Sequence, residues 1–338
     1  MAWPHASDAV ALTQGDPAGI GPELALKAWS LRESAGLSPF LLVGDPDFLA
    51  RLSGRLGLGV PVEAATAADA ATIFPRALPV LPLSHPVAAE PGRPDPATAS
   101  GTIEAIERAV AFARAGEVSG LVTNPIAKHV LYEAGFPHPG HTEFLAALAA
   151  EPGRDPPRPV MMLWSETLAV VPVTIHIPLR AVADALTTAL VVETGRIVAR
   201  DLRARFGIAA PRLAVAGLNP HAGEHGTLGA EDEAVIAPAV RALQDEGIDA
   251  TGPWPADTMF HARARAGYDA ALAMYHDQAL VPIKTLAFDE AVNVTLGLPF
   301  LRTSPDHGTA FDIAGKGIAR PNSLIAALKL AHRLGRAG

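Results

Sequence analysis

Short apolar runs alternate along the chain with longer amphipathic segments. Runs rich in Val, Leu and Ala predict buried strands, and helical segments between such strands are typical of a parallel sheet. The predicted strands are Ala9–Thr13, Phe40–Val43, Gly120–Thr123, Pro159–Trp164, Ala169–Thr174, Leu213–Gly217, Ala270–Tyr275 and Ala291–Leu296. The pattern therefore predicts an α/β protein whose parallel strands are joined by crossover helices.

Helices are predicted where apolar residues recur at spacings of three and four. These segments are Pro96–Ala115, Thr187–Phe206, Glu231–Glu246 and Asn322–Leu334. Two other stretches lack any regular pattern. Prolines recur between Ala64 and Pro96, and we interpret this stretch as a surface connection. Glu151–Pro159 is interpreted in the same way.

The predicted strands end near Gly, Asn, Pro, His or Asp residues, so polar candidates for a site cluster at strand ends. This placement agrees with the general behaviour of open α/β sheets, which bind ligands beyond the carboxyl ends of their strands. A chain of 338 residues with 49% hydrophobic content is long enough for two ordinary cores. We therefore expect two lobes.

Composition excludes several kinds of site and partner. The net charge of -8, from 35 acidic and 27 basic residues, argues against a nucleic-acid partner. The chain has no cysteine, so disulfides, a cysteine nucleophile and thiolate metal sites are excluded, and any metal must bind His, carboxylate or water. No apolar stretch approaches 18–20 residues, and Met1–His5 does not begin a secretion signal. We expect no membrane partner and a cytoplasmic protein.

The segment Thr13–Glu23 is a glycine-rich turn between a predicted strand and a helix. Such a turn brings backbone close to a ligand in many proteins. Its glycines, Gly15, Gly19 and Gly21, do not fit the G-x-G-x-x-G dinucleotide fingerprint, and no G-K-[ST] ending of a P-loop follows. A ligand loop and a plain structural turn both remain open.

The segment Gly140–Glu143 precedes a helix that is predicted to open at Phe144. His141 and Thr142 would lie beside the exposed backbone N–H groups at its start, where a phosphate binds well. The alternative is that Thr142 merely caps the helix.

His176, His221 and His276 each follow a predicted strand. Neutral imidazoles bind zinc and similar divalent metals. The histidines are 45 and 55 residues apart, so no local ligand spacing supports a metal site, and a hydrogen-bonded structural histidine is the alternative at each position. Their shared position after a strand favours a common site.

Polar residues interrupt the otherwise apolar stretch from Met274 to Ala319, and burying them without a function would be costly. They are His276, Asp277, Lys284, Asn293, Arg302, Asp306 and His307. Lys284 and Arg302 are candidates for binding a phosphate or carboxylate, and Asn293 can supply a directional hydrogen bond. The alternative for each basic residue is a surface ion pair.

Six blocks, in this order, resemble the 4-hydroxythreonine-4-phosphate dehydrogenase family of pyridoxal phosphate biosynthesis. They are Gly15-Asp-Pro-Ala-Gly-Ile-Gly-Pro-Glu23, Gly140-His-Thr-Glu143, Gly217-Leu-Asn-Pro-His-Ala-Gly-Glu224, Met274-Tyr-His-Asp-Gln278, Val292-Asn-Val-Thr-Leu-Gly-Leu-Pro299 and Arg302-Thr-Ser-Pro-Asp-His-Gly-Thr-Ala-Phe-Asp-Ile-Ala-Gly-Lys-Gly317. The blocks span nearly the whole chain. Ala279 departs from the family, which usually has Gly there, and this affects only local backbone shape.

The resemblance implies a set of site residues. One divalent metal, Zn2+, Mg2+ or Co2+, would be held by His176, His221 and His276. The residues expected to contact substrate are His141, Thr142, Lys284, Asn293 and Arg302. The cofactor is NAD or NADP, and the loop Gly308–Gly317 is similar to the cofactor loop of decarboxylating dehydrogenases. Its candidate residues are Gly308, Asp312, Gly315 and Gly317.

The resemblance also implies the architecture. We expect a two-lobed α/β/α fold like that of isocitrate and isopropylmalate dehydrogenases, and not a Rossmann dinucleotide fold. Residues 1–135 and 290–338 are predicted to form the lobe on the cofactor side. Residues 136–289 would hold metal and substrate and form the contacts of a homodimer. Its active site would be shared, with His176 supplied by the partner subunit.

The reaction implied for this family is NAD(P)-linked oxidation of 4-phosphooxy-L-threonine, followed by decarboxylation to 3-amino-2-oxopropyl phosphate. The metal would act as a Lewis acid on the hydroxyl group. Lys284 and Asp257 are candidates for proton transfer. The alternatives are a dehydrogenase of D-threonate or D-erythronate 4-phosphate, a phosphate acyltransferase and a non-catalytic binding protein.

Overall fold

The computed structural model describes residues 9–336 and separates into two compact units. Unit 1 extends to Pro159 and resumes at Leu298, and unit 2 is Val160–Gly297. The ends of the predicted cofactor-side lobe, residues 1–8 and 337–338, lie outside the described residues. The predicted division at 135/136 and 289/290 stays a prediction about which part of the chain carries which function.

The strands, in chain order, are β1 (Val10–Thr13), β2 (Phe40–Gly44), β3 (Val62–Ala64), β4 (Leu78–Pro82), β5 (Gly120–Thr123), β6 (Val160–Ser165), β7 (Leu168–Pro172), β8 (Arg212–Ala216), β9 (Asp249–Trp254), β10 (Ala270–Ala273), β11 (Val292–Leu296) and β12 (Arg302–Pro305). The α-helices are α1 (Gly21–Ser30), α2 (Pro46–Arg55), α3 (Ala70–Ile73), α4 (Ala99–Ala115), α5 (Lys128–Glu133), α6 (His141–Ala149), α7 (Val182–Ala185), α8 (Thr188–Phe206), α9 (Ala237–Asp245), α10 (Ala262–Arg265), α11 (His276–Ala287) and α12 (Asn322–Gly335). Short 3-10 turns occur at Pro96–Thr98, Leu179–Ala181, Pro220–Gly223 and Ala256–Thr258, and a π-turn at Asp232–Ile236.

Unit 1 contains a parallel sheet with the order β3-β4-β2-β1-β5-β12. β1, β2 and β5 are buried along their whole length, which explains why they are continuous apolar runs. Helix α4 packs Ile106, Ala109 and Val110 into the core of this unit. It ends at Gly116, whose φ of 72° is readily adopted only by glycine.

The prediction of a surface connection between Ala64 and Pro96 is wrong. This stretch contains α3 and the buried strand β4, which pairs with β2 and β3. Proline is rare inside a sheet because it lacks an N–H donor, so Pro79 and Pro82 argued against a strand. Packing of Leu78, Val80 and Leu81 in the core outweighs that local preference.

Unit 2 contains a sheet with the order β11-β6-β7-β10-β8-β9. β7, β10, β8 and β9 are parallel to one another, whereas β6 is antiparallel to both β7 and β11. The expectation of parallel strands throughout is therefore wrong for β6. Only Glu166 and Thr167 separate β6 from β7, and a connection of two residues can join only antiparallel strands.

The four predicted helices are confirmed, with end points that agree within two residues. Pro96–Ala115 begins with a 3-10 turn, and Glu231–Glu246 begins with the π-turn. Helix α8 is capped by Thr187, whose side chain accepts a hydrogen bond from the Leu190 N–H. Within residues 9–336, none of the helices combines the length and apolar character that crossing a bilayer requires.

Candidate functional site

The three predicted metal histidines lie along one edge of the unit 2 sheet. His176, His276 and His221 follow the carboxyl ends of β7, β10 and β8, and these strands are neighbours in that order. The ring centroids of His176 and His276 are 5.8 Å apart. Residues separated by 45 and 55 positions in the chain are therefore collected at the edge where α/β sheets bind ligands.

His176 and His276 line an open cavity of about 230 Å³, together with Tyr275, Asp277 and Leu179. The Asp277 carboxylate lies 2.7 Å from Nδ1 of His276. Since a carboxylate accepts hydrogen bonds, this contact assigns the ring proton to Nδ1 and leaves Nε2 as the acceptor nitrogen. A carboxylate that orients an imidazole in this way is typical of metal-binding histidines.

The backbone at two of these histidines is strained. His176 and His221 both have a φ of 53°, in the left-handed region that side chains with a Cβ rarely adopt. This conformation costs about 1–2 kcal/mol for each residue. Strain of this kind concentrates at functional sites, where it fixes the direction of a side chain.

Asp232 holds the turn that carries His221. Its carboxylate is buried and accepts hydrogen bonds from the backbone N–H groups of Leu218, at 2.8 Å, and Asn219, at 3.2 Å. The side-chain amide of Asn219 donates to the same carboxylate at 3.0 Å. Asp232 was not among the predicted site residues. The only signal was an acidic residue at the start of a predicted helix, where such residues commonly occur.

Asp257 lies in the turn Ala256–Thr258, just beyond β9, and is exposed. This turn contacts the turn Pro220–Gly223, so Asp257 belongs to the same sheet edge as His221. Lys284 is half-buried on α11, the helix that begins at His276. Asn293 lies within β11, which β6 separates from β7, so it is not at this edge.

The donor set at the edge fits a borderline-soft divalent metal, since three imidazoles are a known set of ligands for catalytic zinc. The orientation of His276 by Asp277 supports the same conclusion. Within residues 9–336 of a single chain, however, no three His, Cys, Asp or Glu side chains are close enough to bind one ion.

In unit 1, Arg302 and His141 lie close together. Arg302 is 5% exposed, and its Nε and Nη2 donate to the Thr123 hydroxyl at 3.0 and 2.7 Å. Burial lowers the pKa of Arg302 to about 10, so the side chain is still a cation at neutral pH. Burial, and then the nearby charge of Arg302, hold the pKa of His141 well below its ordinary value. A buried cation beside a neutral imidazole is well suited to bind an anion.

Helix α6 begins at His141, three residues earlier than predicted, with Gly140 at the N-cap position. Thr142 therefore lies in the first turn, and the alternative that it caps the helix is wrong. His141 Nε2 is enclosed and has no hydrogen-bond partner. Lys128 was not among the predicted site residues, but it lies beside this helix start: a Cβ built on Gly140 would be 3.1 Å from its ammonium nitrogen.

The glycine-rich turn Thr13–Glu23 packs against the predicted cofactor loop Gly308–Gly317 in unit 1. The Ile20 N–H donates to the Thr309 carbonyl at 2.9 Å, and a Cβ at Gly19 would lie 2.9 Å from the same oxygen. Gly308, Asp312 and Gly317 are exposed, whereas Gly315 is half-buried. The two segments thus form one structural feature.

The role of the glycine-rich turn is partly structural. Gly15 has a φ of 74°, and a Cβ there would lie 2.6 Å from the Pro125 carbonyl oxygen. Two buried polar atoms next to the turn, Gln14 Nε2 and Asn124 Oδ1, have no hydrogen-bond partner. Burial also raises the pKa of Asp16. Unsatisfied polar groups at such a place leave the ligand interpretation open.

Residues 37–331 match the family model described as "Pyridoxal phosphate biosynthetic protein PdxA". This chain belongs to the PdxA family. A PdxA relative from Methylorubrum populi, named 4-hydroxythreonine-4-phosphate dehydrogenase, is 67% identical over 327 residues, which cover 96% of this chain and 94% of the relative.

Two solved structures show how closely the fold is shared. The 4-hydroxythreonine-4-phosphate dehydrogenase of Klebsiella pneumoniae is 40% identical, with a TM-score of 0.85 over 97% of this chain and 100% of that chain. A terephthalate 1,2-cis-dihydrodiol dehydrogenase of Burkholderia xenovorans is 29% identical, with a TM-score of 0.66 over 96% of this chain and 97% of that chain. The predicted α/β fold is therefore confirmed.

Proposed function

We propose that this PdxA protein is a metal-dependent dehydrogenase that oxidises 4-phosphooxy-L-threonine with NAD or NADP. The oxidised product would then lose carbon dioxide to give 3-amino-2-oxopropyl phosphate, and the enzyme would act in the cytoplasm. The observation that carries the proposal is the 67% identity, over 96% of the chain, to a relative named for this activity. The neighbouring strand ends that carry His176, His276 and His221 give it a chemical basis.

In this proposal, the phosphate group binds at the start of α6. Arg302 supplies a fixed positive charge, and the neutral ring of His141 supplies a hydrogen bond. The first-turn N–H groups of α6, beside Thr142, add partial positive charge. Lys284 and Asn293 are proposed to contact the rest of the substrate. Their roles come from the family resemblance.

The three histidines are proposed to hold one zinc, magnesium or cobalt ion. Such an ion would act as a Lewis acid and lower the pKa of the substrate hydroxyl group. Asp277 would keep the His276 ring oriented, and Asp232 would keep the His221 turn in place. Asp257 and Lys284 are the candidates for accepting the hydroxyl proton.

We further propose a homodimer in which the partner subunit completes the metal site, with His176 as its contribution. This expectation comes from the family resemblance, which assigns His176 to the partner subunit. The test is to mix equal amounts of His176→Ala and His276→Ala chains, each inactive alone. If the ligands come from different subunits, mixed dimers have one intact site and restore about a quarter of the sites. If all three ligands came from one chain, mixing would restore nothing.

The function itself is tested by following NADH or NADPH formation with dialysed protein and 4-phosphooxy-L-threonine, with and without zinc, magnesium or cobalt. D-Threonate and D-erythronate 4-phosphates serve as competing substrates, because they keep the phosphate and the hydroxyl group but lack the amine. Metal-dependent turnover that prefers the amino acid is the expected result. Turnover of only the sugar acids would keep the mechanism and change the substrate. No reduction with any of them would favour an acyltransferase or a binding protein.

A further inference from the structure

Glu23 and Lys27, one turn apart on α1, both bond to the predicted cofactor loop of unit 1. Glu23 is 1% exposed. One of its carboxylate oxygens accepts from the Gly315 N–H at 3.0 Å, and the other accepts from the Ala319 N–H at 3.3 Å. The buried carboxylate is thus bonded to two backbone donors almost 300 residues away in the chain.

Lys27 completes the connection. Its ammonium group donates to Glu23 at 2.8 Å, to the Gly317 carbonyl at 2.9 Å and to the Ala319 carbonyl at 2.7 Å. The pair therefore bonds to Gly315 and Gly317, at the end of the predicted cofactor loop, and to Ala319, two residues beyond it. A Glu–Lys pair at this spacing on a solvated helix stabilises only the helix, by about 0.2–0.5 kcal/mol. Here the same pair also bonds to the backbone of a distant segment, the loop before α12.

The loop needs such support because it is irregular. Ala310, Gly315 and Gly317 have φ values of 44°, 70° and 72°, and no strand or α-helix lies between β12 and α12. Its first part is bonded to the start of α1 through Ile20 and Thr309. The Glu23–Lys27 pair holds the second part. Fixing a loop in its binding conformation lowers the entropy lost when a ligand binds.

We infer that Glu23 and Lys27 are positioning residues that keep the loop Gly308–Gly317 in the conformation that binds the nicotinamide cofactor. This inference rests on the proposed function, because only an NAD- or NADP-dependent dehydrogenase needs a cofactor loop, and the family resemblance gives that role to Gly308–Gly317. Neither side chain is required to touch the cofactor. Both act through the backbone of Gly315, Gly317 and Ala319.

The test compares Glu23→Gln and Lys27→Met with wild-type protein. Glu23→Gln keeps the shape of the side chain but replaces an acceptor oxygen with a donor that faces other donors. Lys27→Met removes the three donors and keeps the length. The matched controls are Glu33→Gln and Lys329→Met, which make the same chemical changes at exposed positions of unit 1.

Two measurements are made on the folded full-length proteins, whose folding is checked by thermal unfolding. Hydrogen exchange of the Gly315 and Ala319 amides reports the order of the loop without any cofactor. Titration with NAD and NADP reports binding. We expect faster exchange, and a dissociation constant and cofactor KM about tenfold higher, equivalent to about 1.4 kcal/mol, in both variants but not in the controls. The kcat at saturating cofactor should change much less than KM.

Unchanged exchange, or faster exchange with unchanged cofactor affinity, would overturn the inference. If Glu23→Gln does not fold, Lys27→Met decides the question, because this variant keeps the buried Glu23 carboxylate and its hydrogen bonds to the loop backbone. A wild-type protein that binds neither dinucleotide would instead overturn the proposed function, and the inference with it. The wild-type titration therefore separates the two failures.

Discussion

Replacing Arg302 with methionine tests two properties of a buried cation separately: its effect on folding stability and its effect on phosphate binding. In the folded chain, burial lowers the pKa of Arg302 from its ordinary value to about 10. This difference corresponds to a cost of about 3 kcal/mol for keeping the charge out of water. Arg302→Met removes that cost, but it also removes two hydrogen bonds from a charged donor to the Thr123 hydroxyl, worth about 1.5–3 kcal/mol each. The two effects oppose each other, so the free energy of unfolding should fall by no more than about 3 kcal/mol.

Arg302→Met should also weaken the binding of phosphate by an amount that steady-state kinetics resolves easily. A hydrogen bond to a charged group contributes about 1.5–3 kcal/mol, which corresponds to a roughly 10- to 150-fold rise in KM for the phosphorylated substrate. Arg302→Lys keeps a charge but loses the planar fork, so its KM should fall between those of wild type and Arg302→Met. Arg154→Met, at an exposed position of unit 1, is the matched control.

The assay combines steady-state kinetics with thermal unfolding in the presence of inorganic phosphate. A ligand at about 100 times its dissociation constant stabilises the folded protein by about 2.7 kcal/mol. Wild type and Arg154→Met should show this stabilisation, and Arg302→Met should lose most of it. If Arg302→Met keeps both its KM and its stabilisation by phosphate, Arg302 does not belong to the anion site.

Three further predictions concern the metal site and the buried histidines. His221→Ala should lose bound metal and turnover with an unchanged circular dichroism spectrum, and full activity with stoichiometric metal would contradict the assignment. Asp232→Asn should weaken metal affinity about 10- to 100-fold, measured by chelator competition, whereas exposed Asp245→Asn should not. The pKa values of His141 and His307 are lowered in the folded chain, so as the pH falls through about 6.5 the unfolded chain takes up their protons before the folded chain does. The free energy of unfolding should therefore fall with acidification by up to about 1.4 kcal/mol per pH unit for each histidine. In His141→Gln, urea unfolding at several pH values should show a weaker pH dependence, because one proton fewer is taken up on unfolding.

The elements that could be predicted from the sequence are those whose signal is local. β5 was predicted as Gly120–Thr123 and has those bounds, because the apolar run is set off by polar residues on both sides. β9 was missed because only Ala250 in it is fully buried, and Gly252 and Pro253 disrupt its pattern. Pairing with β8 is what keeps this segment extended, and no local pattern encodes that pairing.

The same distinction applies to the candidate site. His176, His221 and His276 stood out because each follows an apolar run, and the topology then brought their strands together. Asp232 could not be found in this way. Two of its three hydrogen-bond donors at Leu218 and Asn219 are backbone N–H groups, which nearly every residue carries and which a sequence pattern therefore does not reveal.

The left-handed backbone at His176 and His221 also determines which substitution makes the best inactive control. Alanine removes the imidazole but keeps a Cβ at a positive φ, so the backbone strain remains without the metal ligand. Glycine adopts this conformation freely and lacks the ligand as well. His176→Gly and His221→Gly should therefore be inactive proteins whose folded state resembles the wild type, and they suit calorimetry and crystallisation with intact substrate and cofactor.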